Sequence, residues 1–326
     1  MSSDARPDAS DDASPDARPD ASGGSSAGFT AGSAAGVAAG SAVGSTAGVT
    51  VAELDTSATL RAGYKPMRYG SWYVAEHRIR TMKAYLQTIV ATSIGNPLLY
   101  LIGLGAGLAS LIDQNISAGG GTSVGYLTFI APALVATAAV TVASEECTYP
   151  ILMGFKWNPT FFAINAAPIT GAQIVNGLVI SILARIVPTV GIYYVFVVLF
   201  GAVPSGWGVV TILTATLTGM AVGFVIMAYT ATITDDKGQI AMIMRFGITP
   251  MFLFSGTFFP LSQLPIFLQP IGWISPLWHG TELGRVISYG AIEPVWLTVI
   301  HVVYLVALCA WGWRSTQRTV IRRLNK

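Results

Sequence analysis

The chain has 326 residues, of which 52% are hydrophobic and only 10% are charged, and its net charge at pH 7 is +2. Because a soluble domain typically carries about 25% charged residues, this composition is typical of a membrane protein. A net charge so near zero gives no strong field that would favour nucleic acid, so no nucleic-acid partner is expected. The two cysteines, Cys147 and Cys309, have no metal-ligand spacing and imply no disulfide framework.

Residues 1–60 form a low-complexity segment rich in Ala, Gly, Ser and Asp, in which DARPDAS occurs at residues 4–10 and again at 16–22. So few large apolar residues cannot bury enough surface to offset chain entropy, which predicts a disordered cytoplasmic tail. Glycine every four residues from Gly28 to Gly48 offers an alternative, since this spacing packs helices in membranes. Glycine is a poor helix former, however, and the run lacks Leu, Ile and aromatic anchors. The acidic N-terminus also lacks the apolar core of a signal peptide.

The next segment, residues 61–83, combines cations with aromatic side chains, which favours an amphipathic helix lying on the inner leaflet. A simple topology signal is the alternative interpretation. The residues concerned are Arg61, Lys65, Arg68, Tyr69, Trp72, Tyr73, Arg78, Arg80 and Lys83.

Six long apolar segments follow, and the cations lie almost entirely between or outside them. A charge inside hydrocarbon is costly, so such segments are interpreted as spanning helices. We therefore predict an all-α integral membrane protein, with six transmembrane helices in a membrane domain over residues 84–326. Pro97 predicts a kink in the first helix. The six predicted spans are residues 84–111, 124–143, 174–200, 209–233, 240–256 and 295–313.

The cations between the spans predict the orientation. The loops after the second and fourth spans carry Lys156 and Lys237, whereas the loops after the first and third contain no Lys or Arg. The positive-inside rule then places both termini in the cytoplasm.

Residues 257–294 are apolar but broken by prolines at 260, 265, 270 and 276, which leaves pieces too short to cross a bilayer. This pattern predicts an extracellular re-entrant segment between the fifth and sixth spans. Trp273, Trp278 and Tyr289 suit the headgroup region at its ends.

The sequence carries neither the phosphate-binding motif GxxxxGK[ST] nor the zinc-binding motif HExxH. His279 and Glu282 are three residues apart, but no second histidine nearby completes a metal site. Arg185 is the clear ionisable residue within a predicted span, and no acid lies within a span to pair with it. Since an ion-coupled transporter more often shows a buried carboxylate, the energy source is expected outside this chain.

Two stretches resemble the permease subunits of type-2 ABC exporters. Residues 145–170 (EECTYPILMGFKWNPTFFAINAAPIT) are similar to the family's cytoplasmic loop, and residues 252–285 (FLFSGTFFPLSQLPIFLQPIGWISPLWHGTELGR) resemble its FSG-x-x-FP-x-x-x-LP…P-L-x-H…R signature. The second stretch is nearest the branch that exports nodulation lipo-oligosaccharides and daunorubicin-type drugs. The resemblance covers residues 66–320, and it departs from many relatives at Asn176-Gly177, where Gly-Glu is expected.

The resemblance implies a permease in the plasma membrane of a bacterium, paired with a cytoplasmic ATPase subunit that holds the ATP and Mg; no cofactor is expected in this chain. Two permeases, as a homodimer or a heterodimer, would form the pathway for an amphiphile such as a lipid-linked glycan, a lipo-oligosaccharide or a hydrophobic drug. An ion-coupled secondary transporter and a non-transporting scaffold remain the alternatives.

The resemblance also assigns site residues. In the coupling loop, acids would pair with basic residues of the ATPase and aromatics would fill a groove on it; alternatively, the aromatics anchor the loop to the membrane surface. These residues are Glu145, Glu146, Tyr149, Phe155, Lys156, Trp157, Phe161 and Phe162. The expected outer gate comprises Gly256, Pro260, Pro265, Pro276 and His279.

Arg185 and Asn96 are candidate contacts for substrate or membrane lipid. Arg185 either snorkels towards the inner headgroups or lines an access path for an anionic amphiphile. Asn96 and Asn176 either bond between helices or contact substrate. His279 could titrate near neutral pH or make a structural hydrogen bond.

Overall fold

A computed structural model describes residues 56–108, 116–117 and 123–326 of the chain. The low-complexity tail predicted over residues 1–60, with its glycine repeat, lies almost wholly outside these described residues. So does the end of the first predicted span, at residue 111.

The described chain is mainly helical, as its composition predicts. Its only strands there are a two-residue antiparallel pair, β1 (Ile116–Ser117) and β2 (Ser123–Val124). The α-helices are α1 (Thr56–Met82), α2 (Leu86–Tyr100), α3 (Tyr126–Cys147), α4 (Tyr149–Phe155), α5 (Thr160–Asn165), α6 (Gly171–Leu199), α7 (Thr211–Thr230), α8 (Gln239–Met242), α9 (Thr249–Phe254), α10 (Gln269–Ile274), α11 (Pro276–Tyr289) and α12 (Val295–Leu324). Short 3₁₀ turns lie at Lys83–Tyr85, Gly206–Val210 and Leu261–Gln263, and π-helical turns at Leu101–Leu108 and Ile243–Ile248.

Among the described residues, five helical segments are long and apolar enough to cross a membrane. They are Gly63–Leu104, Tyr126–Phe155, Gly171–Leu199, Gly206–Thr230 and Val295–Leu324. The predicted fifth span corresponds to a shorter apolar helix, Gln239–Phe254. At 1.5 Å per residue it is about 24 Å long, less than the roughly 30 Å of a hydrocarbon core. The all-α membrane class is therefore confirmed at the level of five long helices.

Several helix ends differ from the prediction. The predicted interfacial helix and first span form one nearly continuous helix, in which α1 has a non-helical residue at Tyr69 and joins α2 through the turn at Lys83–Tyr85. The kink predicted at Pro97 does not break α2, whose winding changes only at Leu101. Helix α3 runs four residues beyond the predicted end at Ala143. This extension places two acids inside the helix.

Helix α3 lies at the centre of the bundle, against α6, α7 and α11, while α1 packs on α6 and α12 on α7. Small residues allow the backbones to approach closely. A Cβ on Gly219 of α7 would lie 2.7 Å from the Ala139 carbonyl oxygen of α3, and one on Gly177 of α6 would lie 2.5 Å from Val74 Cβ of α1. The departure at Asn176-Gly177 thus has a packing explanation, because position 177 has no room for a glutamate.

Asn176, the other half of that departure, bonds between helices. Its Oδ1 atom accepts hydrogen bonds from Trp313 Nε1 at 2.9 Å and Gln317 Nε2 at 3.0 Å on α12. The interhelical role, one of the two considered for this residue, is the one found.

Candidate functional site

Four charged side chains from three helices meet at one end of the bundle. Arg78 Nη2 on α1 donates to Glu146 Oε2 at 2.9 Å, and Arg185 Nη1 on α6 donates to the other oxygen of the same carboxylate. Arg185 Nη2 also donates to Glu145 Oε2 at 2.6 Å. Glu146 is only 5% exposed, whereas the Glu145 side chain is 48% exposed. We call these four residues the ion cluster.

The ion cluster corrects two expectations. Arg185 was thought to lack an acidic partner within the spans, yet it has two, because α3 extends through both glutamates instead of ending before them. Glu146 was expected to pair with basic residues of an ATPase. Both of its oxygens are occupied by arginines of this chain, so it is not free for a partner protein.

A cavity of about 270 Å³ lies beside the ion cluster, between α2, α3, α6 and α9, and it contains both Asn96 and Arg185. The structure thus brings together the two residues that the sequence proposed separately as contacts. Its polar wall consists of Ser93 and three stripes at four-residue spacing: Thr92, Asn96 and Tyr100 on α2; Thr137, Thr141 and Glu145 on α3; Arg185, Thr189 and Tyr193 on α6. Sequence reasoning missed most of them, although this helical period was a signal that could have found them.

Several polar atoms of the cavity wall have no partner. Among the described residues, Arg185 Nε, Tyr193 OH and Thr137 Oγ1 are buried without a hydrogen bond. Buried polar groups are normally satisfied, so each such atom calls for an explanation. The remaining wall is apolar, with Leu134 and Phe252 among its residues. The cavity can therefore take a molecule that has both hydrogen-bonding and apolar parts.

The predicted coupling loop folds as two short helices, α4 and α5, whose aromatic residues divide into two sets. Tyr149, Trp157 and Phe162 are exposed, and the rings of Tyr149 and Trp157 stack with centroids 6.1 Å apart. Phe155 and Phe161 are buried instead and pack edge to face at 4.9 Å. The last two therefore cannot fill a groove on another protein, which corrects that part of the prediction.

Two polar contacts join this loop to the rest of the same end of the bundle. Lys156 Nζ lies 2.6 Å from Asp235 Oδ1 in the turn between α7 and α8, and this hydrogen bond holds the pKa of the Asp235 carboxyl below its usual value. Arg323 of α12 places its guanidinium 3.9 Å from the centroid of the Phe155 ring and donates to the carbonyl oxygens of Ala231 and Ile233. The loop, the α7–α8 turn and the end of α12 thus form one continuous surface.

Gly256, one of the expected outer-gate residues, bonds to a buried arginine. Arg285 on α11 is 1% exposed, and its Nη2 donates to the Gly256 carbonyl oxygen at 2.6 Å while Nη1 pairs with Glu282 at 2.7 Å. Its guanidinium carbon lies 3.8 Å from the centroid of the Phe129 ring on α3. Gly256 has a φ of +68°, a backbone conformation that glycine adopts without strain. Sequence reasoning included Arg285 in the signature but not among the site residues.

The three prolines of the expected gate shape the same region. Pro276 starts α11, and Pro260 immediately precedes the 3₁₀ turn. The carbonyl oxygen of Pro265 accepts a hydrogen bond from the amide of Leu268 at 2.8 Å. Each proline therefore lies at a turn or helix start, where its missing N–H costs nothing.

His279 does have a second histidine beside it, which the sequence did not predict. Its Nδ1 lies 2.6 Å from Nδ1 of His301 on α12, and its Nε2 lies 3.0 Å from the carbonyl oxygen of Trp273. His301 Nε2 lies 2.8 Å from Glu293 Oε1. The described residues contain no group of three or more side chains suited to hold a metal ion. The cluster is therefore a hydrogen-bonded chain.

The carbonyl partner determines the direction of this chain. A carbonyl oxygen only accepts, so His279 Nε2 must donate to Trp273, and the neutral His279 then accepts at Nδ1 from His301. The other ring nitrogen of His301, Nε2, faces Glu293. Tyr304 stacks on His279 at 4.1 Å, and α7, which also packs on α11, carries no charged residue. A second proton on His279 would set two N–H groups against each other.

Acid should therefore destabilise this region. His279 lies on α11, outside the five long apolar helices, and burial together with the neighbouring His301 lowers its pKa to about 4. The unfolded chain takes up this proton near pH 6.5. The contribution of neutral His279 to the stability of the folded protein is thus complete above about pH 6.5 and is lost as pH falls towards 4. Melting temperatures measured from pH 7.5 to 4.5 should fall more steeply for the wild type than for His279→Gln; parallel curves would contradict this interpretation.

The geometry defines a class: a multi-pass helical membrane protein with an internal amphipathic cavity and no phosphate-binding loop in its sequence. The sequence matches the ABC-2 type transporter family over residues 72–289, about two thirds of the chain. The chain belongs to that family and is a transmembrane permease subunit of an ABC transporter.

Its relatives include nodulation protein J of several rhizobia. The protein from Rhizobium meliloti (strain 1021) is 29% identical over 247 residues, covering 72% of this chain and 86% of the relative. That from Rhizobium leguminosarum bv. viciae is 28% identical over 235 residues, covering 68% and 84%. That from Rhizobium leguminosarum bv. trifolii is 30% identical over 222 residues, covering 65% and 79%. The resemblance to the nodulation-exporter branch is confirmed.

Proposed function

We propose that this permease exports an amphiphile, with energy supplied by a separate cytoplasmic ATPase subunit and with a second permease, identical or related, completing the pathway. The observation that carries the proposal is the cavity of about 270 Å³, whose wall combines unpartnered buried polar atoms with apolar side chains. A lipid-linked glycan, a lipo-oligosaccharide or a hydrophobic drug has this combination. The resemblance of residues 252–285 to the nodulation-exporter branch, together with the similarity to nodulation protein J, favours a lipo-oligosaccharide.

Ion-coupled transport receives less support, although the structure does contain a buried carboxylate. Both oxygens of Glu146 already accept hydrogen bonds from arginines of this chain, and Glu146 is not among the described residues that line the cavity. The ABC mechanism thus accounts better for the ion cluster.

For the topology we propose six crossings, with Gln239–Phe254 as the short fifth one and both termini in the cytoplasm. The loop cations Lys156 and Lys237 support this orientation. Residues 257–294, which contain helices of six and 14 residues, would then form the re-entrant segment on the outer side. The exposed Trp72 and Tyr73 support an interfacial position for residues 61–83.

We assign ATPase coupling to the exposed aromatics Tyr149, Trp157 and Phe162, with the half-exposed Glu145 at the edge of the contact. The buried rings of Phe155 and Phe161 pack beneath these exposed aromatics and would support them. The contact between Lys156 and Asp235 would pass movement of the loop to the α7–α8 turn. Aromatic residues are enriched among the anchors of protein interfaces, which supports docking over a purely lipid-facing role.

Replacing Trp157 with alanine should weaken ATPase binding by about 30-fold, since an interface anchor contributes roughly 2 kcal/mol. Trp157 is 54% exposed, so its loss leaves little of the fold unpacked. The matched control is Trp296→Ala, which removes a 63% exposed tryptophan. Trp296 lies at the start of α12, whereas the coupling loop contacts the end of that helix at Arg323. The measurement is titration of the purified permease in lipid nanodiscs with the ATP-binding subunit that co-purifies from native membranes.

Two outcomes would contradict these assignments. If both tryptophan variants bind the subunit equally well, Trp157 is not part of the docking surface. If the permease purifies from native membranes without any ATP-binding subunit, and ATP changes nothing, the ABC exporter mechanism itself is wrong for this chain.

The cavity is tested by Tyr193→Phe, which removes one hydroxyl. That hydroxyl has no partner within the described protein, so stability should not fall. Transport should fall about fivefold if the hydroxyl bonds to substrate, since one hydrogen bond contributes about 1 kcal/mol. ATP-driven uptake of a fluorescent anthracycline or a labelled lipo-oligosaccharide into inverted vesicles measures the effect. The control is Tyr194→Phe, next in the chain but outside the cavity wall; equal effects of the two variants would remove the cavity from the pathway.

A further inference from the structure

The exposed face of α12 changes from apolar to basic at a defined height. Val299, Val303 and Val306 are exposed on the first part of the helix, and Arg314, Arg318 and Arg322 are exposed on the last part at four-residue spacing. The apolar part, residues 295–313, is about 28 Å long at 1.5 Å per residue. This length matches the roughly 30 Å hydrocarbon core, so Arg314 lies where the headgroups begin.

The three arginines of this face have no acidic partner in the described part of the chain. Arg322 Nε donates only to the backbone oxygen of Arg318, at 3.3 Å. Arg323, by contrast, turns inward onto Phe155 and two carbonyl oxygens. Like charges one helical turn apart repel each other. An anion bound between them would remove this repulsion.

The same arginines line a shallow surface cleft that also has an apolar end. The cleft has a volume of about 520 Å³, and its basic end is formed by Arg314, Arg318, Arg322 and Ser315. Ala307 and Ala310 form a floor with short side chains at the other end, beside the exposed Trp311. The apolar end lies on the part of α12 that matches the hydrocarbon core. A free anion would leave that end empty.

We propose that this cleft binds one anionic phospholipid of the leaflet that faces the C-terminus. The phosphate lies between Arg314 and Arg318, the Ser315 hydroxyl and Arg322 contact the rest of the headgroup, and one acyl chain follows Ala307 and Ala310 beside Trp311. Two features favour a phospholipid as the ligand: the positive charge of the arginines complements an anionic headgroup, and Arg314 lies at the level where the headgroups begin. The proposal needs only insertion of α12 in a bilayer, so it is independent of transport and of the ATPase.

The test uses the full-length chain, purified in detergent and titrated with dioleoylphosphatidylglycerol, with dioleoylphosphatidylcholine and inorganic phosphate as comparisons. Native mass spectrometry counts the bound lipid. Each basic residue near an anionic headgroup contributes about fivefold to binding, so Arg314→Gln/Arg318→Gln/Arg322→Gln should bind the glycerol lipid about a hundredfold more weakly. The matched control, Arg80→Gln/Lys237→Gln/Arg245→Gln, removes the same charge from exposed positions elsewhere and should keep the tightly bound lipid.

Each possible result decides the proposal. One lipid retained by the wild type and the control, but lost from the α12 variant, supports it. Equal losses of bound lipid in both variants would mean that the lipid responds to the general surface charge of the protein, and this result would overturn the proposal. Equal binding of phosphatidylcholine would also overturn it, because the site would then not distinguish an anionic lipid. Displacement of the lipid by millimolar inorganic phosphate would overturn it too, because the site would then bind a free anion without need of an acyl chain. Loss of dimer with unchanged lipid count would show that a second permease covers this face instead.

Discussion

The Glu146→Gln variant is expected to be strongly destabilised. Glu146 is buried and bonds to Arg78 and Arg185 from two other helices. Glutamine has a similar size but no charge, so Arg78 would lose the one acidic partner it has among the described residues, and Arg185 would keep only the half-exposed Glu145. Breaking a buried ion pair in this way costs about 3–5 kcal/mol. The melting temperature in detergent, measured by fluorescence-detected size exclusion, should fall by roughly 10 °C.

Glu145→Gln is the matched control, because it removes the neighbouring carboxylate of the same cluster. The Glu145 side chain is 48% exposed, and an exposed ion pair contributes only about 0–1 kcal/mol. A triple variant, Glu146→Gln with Arg78→Met and Arg185→Met, should regain much of the loss, since apolar groups can replace a buried ion pair. Equal melting temperatures for Glu145→Gln and Glu146→Gln would contradict the geometry of the ion cluster.

The same variants separate folding from coupling. If Glu146→Gln keeps its melting temperature but no longer binds the ATPase subunit, Glu146 is a docking residue after all. The structure predicts the opposite order, in which loss of stability precedes any loss of binding.

The second large effect is expected for Arg285→Lys. Arg285 is almost fully buried and joins Glu282 to the Gly256 carbonyl oxygen, with Phe129 under its guanidinium. Lysine keeps the charge but cannot donate in two directions from a planar group, so at least one of these partners is left unsatisfied. An unsatisfied buried acceptor costs about 1–3 kcal/mol, which the melting temperature in detergent should show. Arg285→Met should cost more, about 3–5 kcal/mol, because the Glu282 carboxylate then loses its counter-ion.

The control for Arg285 is Arg245→Lys, at an exposed position on the short helix Gln239–Phe254, which should change the melting temperature very little. A wild-type melting temperature for Arg285→Lys would mean that only the charge of Arg285 matters, and that its hydrogen bonds to Gly256 and Glu282 do not stabilise the fold around them.

The candidate site could be predicted in part. Residues 145–170 were recognised as a separate loop region, and the structure forms two short helices within it. The signature over residues 252–285 pointed to the region that surrounds Arg285. The exposure of individual aromatics could not be predicted, because Phe155 and Trp157 are two residues apart in similar sequence surroundings. Phe155 is buried because Arg323 and Phe161 pack on it.

The sequence by itself determined the class of this protein, the approximate limits of its long helices and its family. An apolar run of about 20 residues is a local property of the sequence. Because charge is costly to bury in lipid, spanning helices contain few charged residues and can be recognised from the sequence alone. The tertiary structure decided which polar groups meet. Arg185 pairs with Glu146 across 39 positions, and Arg285 reaches the Phe129 carbonyl oxygen across 156. Such partners depend on which helices pack together and at what height, and no local pattern contains that information.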